Sequence, residues 1–487
     1  MNQFLDTLQP SVLWRHFRQL TLIPRPSRHE KAALDYVAQV GRDNGCEVFF
    51  DKAGNVVIRA KATPGFEDRL PVILQGHADM VPQKNPDSNH DFLADPIPAL
   101  LTPDGWVATS GTTLGADNGI GVSAALAIIS DPDAQHGPLE ILVTRDEETS
   151  MAGASGLQPG VLQGKMLFNL DSEQEGDVYV GCAGGLDVNA TFHAARVETA
   201  DSDVAFLVSL AGLSGGHSGM DINLGRANAN KLMARFLKFA AANYESMLAS
   251  ISGGNMRNAI PRDASVVLTI DAEDAEDFLE AVDEFEDMFR SEFASTEPNL
   301  SFSAQRVELP PLVFDEMSAD DLINALQGAP NGPIKMSADV PGLVETSSNL
   351  AIVRSADDQI FVQFLVRSSV DSQKEDVASS IDSIFRLAGA DVEFDGDYPG
   401  WKPNPSSTAL ALVSDSFSRL FGAKPNVTAV HAGLECGIMA GAYPDWDMVS
   451  FGPTIRHPHS PDERVDVASV QRFYLLLKDL LRNVPVL

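Results

Sequence analysis

Cysteine is scarce in this chain of 487 residues: Cys46, Cys182 and Cys436 are too few and too scattered for a disulfide framework or a CxxC zinc knuckle. Basic residues are outnumbered, with 35 Lys and Arg against 68 Asp and Glu, a formal net charge of -33. Phosphate binding needs a basic face, so nucleic acid is disfavoured as a partner, and so is an anionic membrane surface. No apolar run approaches membrane-spanning length, and the opening MNQFLDTLQP has neither the basic nor the apolar region of a signal peptide. A cytoplasmic protein is expected. The length exceeds what one hydrophobic core usually supports, which implies at least two domains.

What is present is organised around Pro71 to Val81, PVILQGHADMV. A short apolar run bounded by Pro and Gly reads as a buried strand, and His77 and Asp79 follow at its end. In an open α/β sheet that edge is where ligands bind. Imidazole suits zinc, and a neighbouring carboxylate can fix its tautomer. Two further strands end in acids: Leu139–Thr144 runs into Asp146, Glu147 and Glu148, and Met166–Leu170 into Asp171 and Glu173. Consecutive carboxylates at a strand end repel one another unless a cation is present. The glycine-rich TLGADNGIG adds Asp117 and Asn118 but has no GK[ST], so a phosphate-cradling loop is set aside.

Helices are expected over residues 11–20, from a Ser27/Glu30 capping box to about Val40, after the glycine turn to about residue 129, over 406–421 and over 466–482. From Gly185 to Pro399 strands and helices alternate without strand-end acids. Two stretches, 264–302 and 360–394, echo each other as strand, helix and short strand. The Pro-rich PGWKPNPSS returns the chain to HAGLECG and then RHPHSPDERV, which carries His457, His459 and Glu463.

The motifs GHADMV, LGADNGIG, TRDEETSMAGASGL, FNLDSE and RHPHSPDERV, in that order, resemble the co-catalytic dizinc exopeptidases. Within that clan the chain resembles the aminoacyl-histidine dipeptidases, also called cytosol non-specific dipeptidases, over essentially its whole length. The resemblance implies an α/β fold: a mixed-sheet catalytic domain from 1–184 and 400–487, with a large inserted α+β lid over 185–399, and closure of that lid about hinges near Gly185 and Pro399. It implies that His77 and Asp171 hold one zinc, Glu148 and His459 the other, and that Asp117 bridges both with a cis bond to Asn118. Glu147 is then the general base, Asp79 orients His77, and His217 in LSGGHSGM stabilises the tetrahedral intermediate. Asn258 and Arg367 correspond to positions that hold the substrate's terminal carboxylate. His459 fits the metal position better than His457, which is expected to make a structural hydrogen bond. A homodimer is implied in the same way.

The chemistry agrees independently. Two adjacent divalent ions lower the pKa of water and polarise a carbonyl. Carboxylates with two imidazoles suit two Zn²⁺ ions per chain, with Mn²⁺ or Co²⁺ as replacements. Asp146 and Glu173 read as supporting or solvated acids. His431 and Glu435 either line the substrate pocket or are a satisfied loop histidine and a surface acid. The expected activity is hydrolysis of unblocked dipeptides, notably Xaa-His. The alternatives are a tripeptide aminopeptidase or an N-acyl amino acid deacylase of the same clan. A non-catalytic peptide binder would have lost a base or a ligand, and none is missing. A phosphoesterase would want more cationic side chains than Arg145 near the acids.

Overall fold

The computed structural model describes residues 1–487. By spatial clustering the chain divides into two units, one of 1–181, 401–429 and 434–487, the other of 182–400 and 430–433.

The first unit is built on an eight-stranded mixed sheet in the order Glu47–Phe50, Val56–Ala60, Leu139–Thr144, Val72–His77, Met166–Asn169, Asp447–Ser450, Asp177–Cys182, Asn426–Val430. Its four middle strands from Leu139–Thr144 to Asp447–Ser450 are mutually parallel. Every residue of Val72–His77 and Leu139–Thr144 is buried, which is why both read as unbroken apolar runs rather than alternating ones. Register pairs His77 with Thr144 and Gln75 with Asn169, so three strands deliver their C-terminal residues to one edge. Val56–Ala60 closes against Leu139–Thr144 in antiparallel sense.

Behind the sheet lies the helix Ala116–Ser130, buried from Ala116 to Ile128. Its small residues allow close packing. A Cβ on Gly76 of the neighbouring strand would fall 2.2 Å from Asn118 Oδ1, so glycine is required there. The helices Ser11–Thr21, Lys31–Asp43, Thr408–Phe421 and Val467–Asn483 contribute apolar faces to the same core. The Ser27/Glu30 capping box does not form. The helix starts at Lys31 with Glu30 at its cap, and the Ser27 hydroxyl instead donates to Asp79 Oδ2 at 2.8 Å.

The second unit carries a nine-stranded sheet whose two halves repeat one topology. In the first, Ala264–Asp271, helix Ala275–Glu292 and Ser301–Val307 flank the central strand Asp203–Ala211, antiparallel on both sides. In the second, Gln359–Ser368, helix Asp371–Leu387 and Asp391–Tyr398 flank Gly184–His193 in the same way. The halves meet where Met247–Gly253 pairs with Val344–Ala356. Helices Ala229–Tyr244 and Glu316–Gly328 complete the layer. A run of edge-on phenylalanines, Phe236 against Phe278, Phe285 and Phe302, fills the first half. Residues 430–433 group with this unit because Ala183 N–H donates to the carbonyls of Val430 and Ala432, and His431 bonds Ser347. No helix of either unit is long and apolar enough to cross a membrane.

Candidate metal centre

The aligned strand ends of the first unit bring five side chains together. His77 Nε2 lies 3.1 Å from Asp117 Oδ1 and 3.2 Å from Asp171 Oδ1. His459 Nε2 lies 3.1 Å from Asp117 Oδ2 and 3.0 Å from Glu148 Oε2. Asp117 thus turns one carboxylate oxygen to each imidazole. The sets His77/Asp117/Asp171 and Asp117/Glu148/His459 each place three donor atoms within 4.8 Å of one another, as does His77/Glu147/Glu148. His457 lies outside all three sets and is exposed.

The local backbone explains how the residues arrive. Asp117 sits at the kinked start of its helix, and the Asp117–Asn118 peptide is cis. Asn118 locks that turn: its Nδ2 donates to Leu170 O at 2.8 Å and its Oδ1 accepts the N–H of His77 at 3.3 Å. His457 and His459 both adopt positive φ, 53° and 58°, and so does Asp146, 51°, immediately before Glu147. Non-glycine residues rarely occupy that region, and they cluster at functional sites.

Asp79 is placed differently from a simple orienter of His77. The Nδ1 of His77 meets the main-chain carbonyl of Asp79 at 3.2 Å, closer than the Asp79 carboxylate at 3.5 Å. The main-chain carbonyl therefore accepts from Nδ1–H and turns Nε2 toward the carboxylates. The Asp79 carboxylate accepts the N–H of Glu147 at 3.0 Å, the N–H of Glu148 at 3.2 Å and the Ser27 hydroxyl. Burial works against its charge, yet the hydrogen bonds and His77 hold its pKa down at about 2.

The acids around it are pushed the other way. Burial, together with the charges of Asp171, Glu148 and Glu435, raises Glu147 well above the ordinary glutamate value. Burial and the charges of Asp117 and Asp171 push Glu173 up to about 9. Glu173 is thus not a solvated acid, since it is half-buried and the charges of Asp117 and Asp171 act on its carboxyl. Glu148 Oε1 and Asp171 Oδ1 are buried without a hydrogen-bond partner. Crowded carboxylates with unpartnered oxygens, facing two imidazole nitrogens, are a donor set that fits hard or borderline divalent cations.

Glu435 lines no open surface. It is 1% exposed, and its Oε2 accepts from Gln75 Nε2 at 2.6 Å and the Thr144 hydroxyl at 2.8 Å, beneath the strand ends. Arg25 and Glu463 are buried close to the same loops. Arg25 stands between two prolines and Glu463 in a charged run, and neither context signals burial.

The second unit holds the other expected residues. His217 Nδ1 accepts the N–H groups of Gly219 and Met220 at 3.1 and 3.0 Å, which leaves its proton on Nε2. Burial and the nearby Arg367 lower its pKa, so the ring is neutral. Arg367 is buried; its Nε donates to the Ser218 hydroxyl at 3.3 Å and its Nη1 to Tyr398 Oη at 2.9 Å. Asn258 is exposed, and its carbonyl accepts the Ser218 N–H at 2.9 Å. His431 Nε2 lies 2.7 Å from the Ser347 hydroxyl, and burial with the charge of Arg367 pushes its pKa down to about 3.

Residues 73–483 match the peptidase family M20/M25/M40. The chain is 44% identical over 481 residues to the cytosol non-specific dipeptidase of Escherichia coli strain K12, covering 99% of both sequences. It superimposes on the crystal structure of aminoacylhistidine dipeptidase from Vibrio alginolyticus with a TM-score of 0.95, at 43% identity and over the full length of both chains. The aminopeptidase PepT of Bacillus cereus shares the fold, with a TM-score of 0.57 at 16% identity over 98% of this chain and 99% of that one.

Proposed function

Because this chain belongs to peptidase family M20/M25/M40, and is therefore an enzyme, we propose that it is a metal-dependent dipeptidase that hydrolyses unblocked dipeptides, notably Xaa-His. The observation that carries the reading is Asp117, which offers one oxygen to each of two donor sets while Glu147 stands beside them. His77 and Asp171 would hold one divalent cation and Glu148 and His459 the other, with Asp117 shared. When bound, such ions supply Lewis acidity toward the scissile carbonyl and make water a stronger acid. The carboxylate and imidazole donors support zinc, with Mn²⁺ or Co²⁺ as replacements.

The chain's own residues complete the chemistry. Glu147 accepts a proton from the attacking water and passes it to the leaving amine as the peptide C–N bond breaks. Glu147 suits that role because Asp79 fixes its N–H and burial favours a proton on its carboxylate. His217, neutral and protonated on Nε2, donates to the oxyanion that develops on the carbonyl. The planar fork of Arg367 pairs with the terminal carboxylate of the dipeptide, and Asn258 assists. The likeness to the cytosol non-specific dipeptidase of Escherichia coli supports a cytoplasmic enzyme; a homodimer is proposed from the family resemblance alone, and light scattering of the purified chain would check it.

The test is hydrolysis of a dipeptide panel including β-alanyl-histidine, after metal removal and zinc restoration. Glu147→Ala is run beside the wild type. Restored cleavage of free dipeptides, lost in the variant while metal stays bound, is the expected result. Cleavage confined to tripeptides or blocked amino acids would refute the dipeptidase assignment.

A further inference from the structure

Two buried side chains of opposite charge tie together the backbone segments that carry His77, Asp117 and His459. Arg25 is 2% exposed; its Nη1 donates to the carbonyls of Ala78 at 2.8 Å and Asp79 at 3.0 Å, and its Nη2 to the carbonyl of Gly115. Glu463 is likewise 2% exposed; its Oε2 accepts the N–H groups of Leu114 at 2.7 Å and Gly115 at 2.9 Å, and its Oε1 that of Asp117 at 3.1 Å. Arg25 therefore takes carbonyls only and Glu463 takes N–H groups only, on opposite sides of the same turn. A buried charge persists only when it is satisfied in this way. The fit is tight. Gly115 has φ +70°, and a Cβ there would fall 2.5 Å from Arg25 Nη2 and 2.8 Å from Met80 Sδ.

We propose that Arg25 and Glu463 are positioning residues that fix the Asp117 carboxylate between His77 and His459, and so set the affinity of both cation sites together. This rests on the two-cation reading above. The reasoning follows from what is shared. Glu463 holds the peptide planes leading into Asp117, and Asp117 is the one residue common to the His77/Asp117/Asp171 and Asp117/Glu148/His459 sets. A shift of the 114–117 turn displaces one donor of each set, whereas loss of His459 affects one set only. Partners that orient metal-binding side chains in this way are worth about 10–100-fold in metal affinity.

The experiment is calorimetric titration of the full, metal-stripped chain with Co²⁺ alone, with the visible absorption of Co²⁺ recorded in parallel. Wild type, Glu463→Gln, Arg25→Lys and the one-site control His459→Ala are compared, and circular dichroism reports folding. Glu463→Gln turns an NH₂ group toward backbone N–H donors. Both Co²⁺ affinities are expected to fall by about 10–100-fold, with altered Co²⁺ spectra at both sites. Wild-type affinities, or a loss confined to one site as in His459→Ala, would overturn the proposal. If Glu463→Gln does not fold, Arg25→Lys is judged by the same criterion, because a single ammonium cannot span the three carbonyls. If neither metal-free variant folds, the pair serves the fold at large and the proposal fails. A wild type that binds fewer than two Co²⁺ ions would overturn the two-cation reading itself.

Discussion

Asp79→Asn separates two roles that a strand-end aspartate next to a histidine could have. The carboxylate is fully buried and accepts three donors, from Ser27, Glu147 and Glu148. The asparagine amide keeps one oxygen. Its least costly orientation leaves that oxygen toward Ser27 and Glu148 and sets NH₂ against the N–H of Glu147. One bond to a charged acceptor is lost and one buried N–H goes unpaired, together about 2–4 kcal/mol of stability. The Nδ1–H bond of His77 is unaffected, because its partner is a main-chain carbonyl. The damage therefore falls on Glu147, and if Glu147 is the base proposed above, a misplacement of about 1 Å is expected to cost about 10²-fold in kcat. Urea unfolding of the metal-free variant, with steady-state kinetics at saturating metal, measures both effects. Ser27→Ala removes one donor to the same charged carboxylate and should cost about 1.5–3 kcal/mol. An unfolding free energy within about 0.5 kcal/mol of wild type, together with weakened metal at His77, would refute the reasoning, since hydrogen bonds to charged groups are worth more than that.

Elsewhere the structure makes two further demands. His16 is held neutral between the Tyr36 hydroxyl at 2.7 Å and the Ser130 hydroxyl at 3.1 Å, and burial lowers its pKa from 6.5 to about 4. A folded pKa below the unfolded one gives a contribution fully present above pH 6.5 and lost as pH falls toward 4, about 1.4 kcal/mol per pH unit across that window. His16→Gln should flatten the pH dependence of urea unfolding there, and an unchanged slope would count against it. Lys231 Nζ donates to the carbonyls of Leu326, Gln327 and Ala329 at the end of helix Glu316–Gly328. Lys231→Met should cost about 1–3 kcal/mol in denaturant unfolding, and a neutral result would show that water replaces those bonds.

The sequence is most legible where structure is local. Leu139–Thr144 forms the strand its apolar run predicts, with the same bounds. The strand-end acids and histidines converge because parallel register follows from buried, uninterrupted strands. What the sequence hides is long-range partnership. The Ser27 hydroxyl satisfies a helix cap on paper but is taken by Asp79, far along the chain. Glu463 looks solvated within PDERV, and only the fold shows three backbone N–H groups converging on it. Glu435 sits in a motif of small residues and is nonetheless buried against Gln75 and Thr144. Asp79 reads as the neighbour of His77, while its nearest bonds go to Ser27 and to the turn that carries Glu147 and Glu148.

The order of strands in the first unit has a consequence for biogenesis. Asp447–Ser450 lies between Met166–Asn169 and Asp177–Cys182, so a central parallel strand comes from residues more than 260 positions after its neighbours in the sheet. Pairings of such sequence separation form slowly, because the ends of a long loop must first meet. On the ribosome the entire second unit emerges while that sheet still has a gap, with apolar strand edges on either side. His459 comes later still. A chain that has not yet extended past residue 459 therefore cannot bring the His459 imidazole to Asp117 and Glu148.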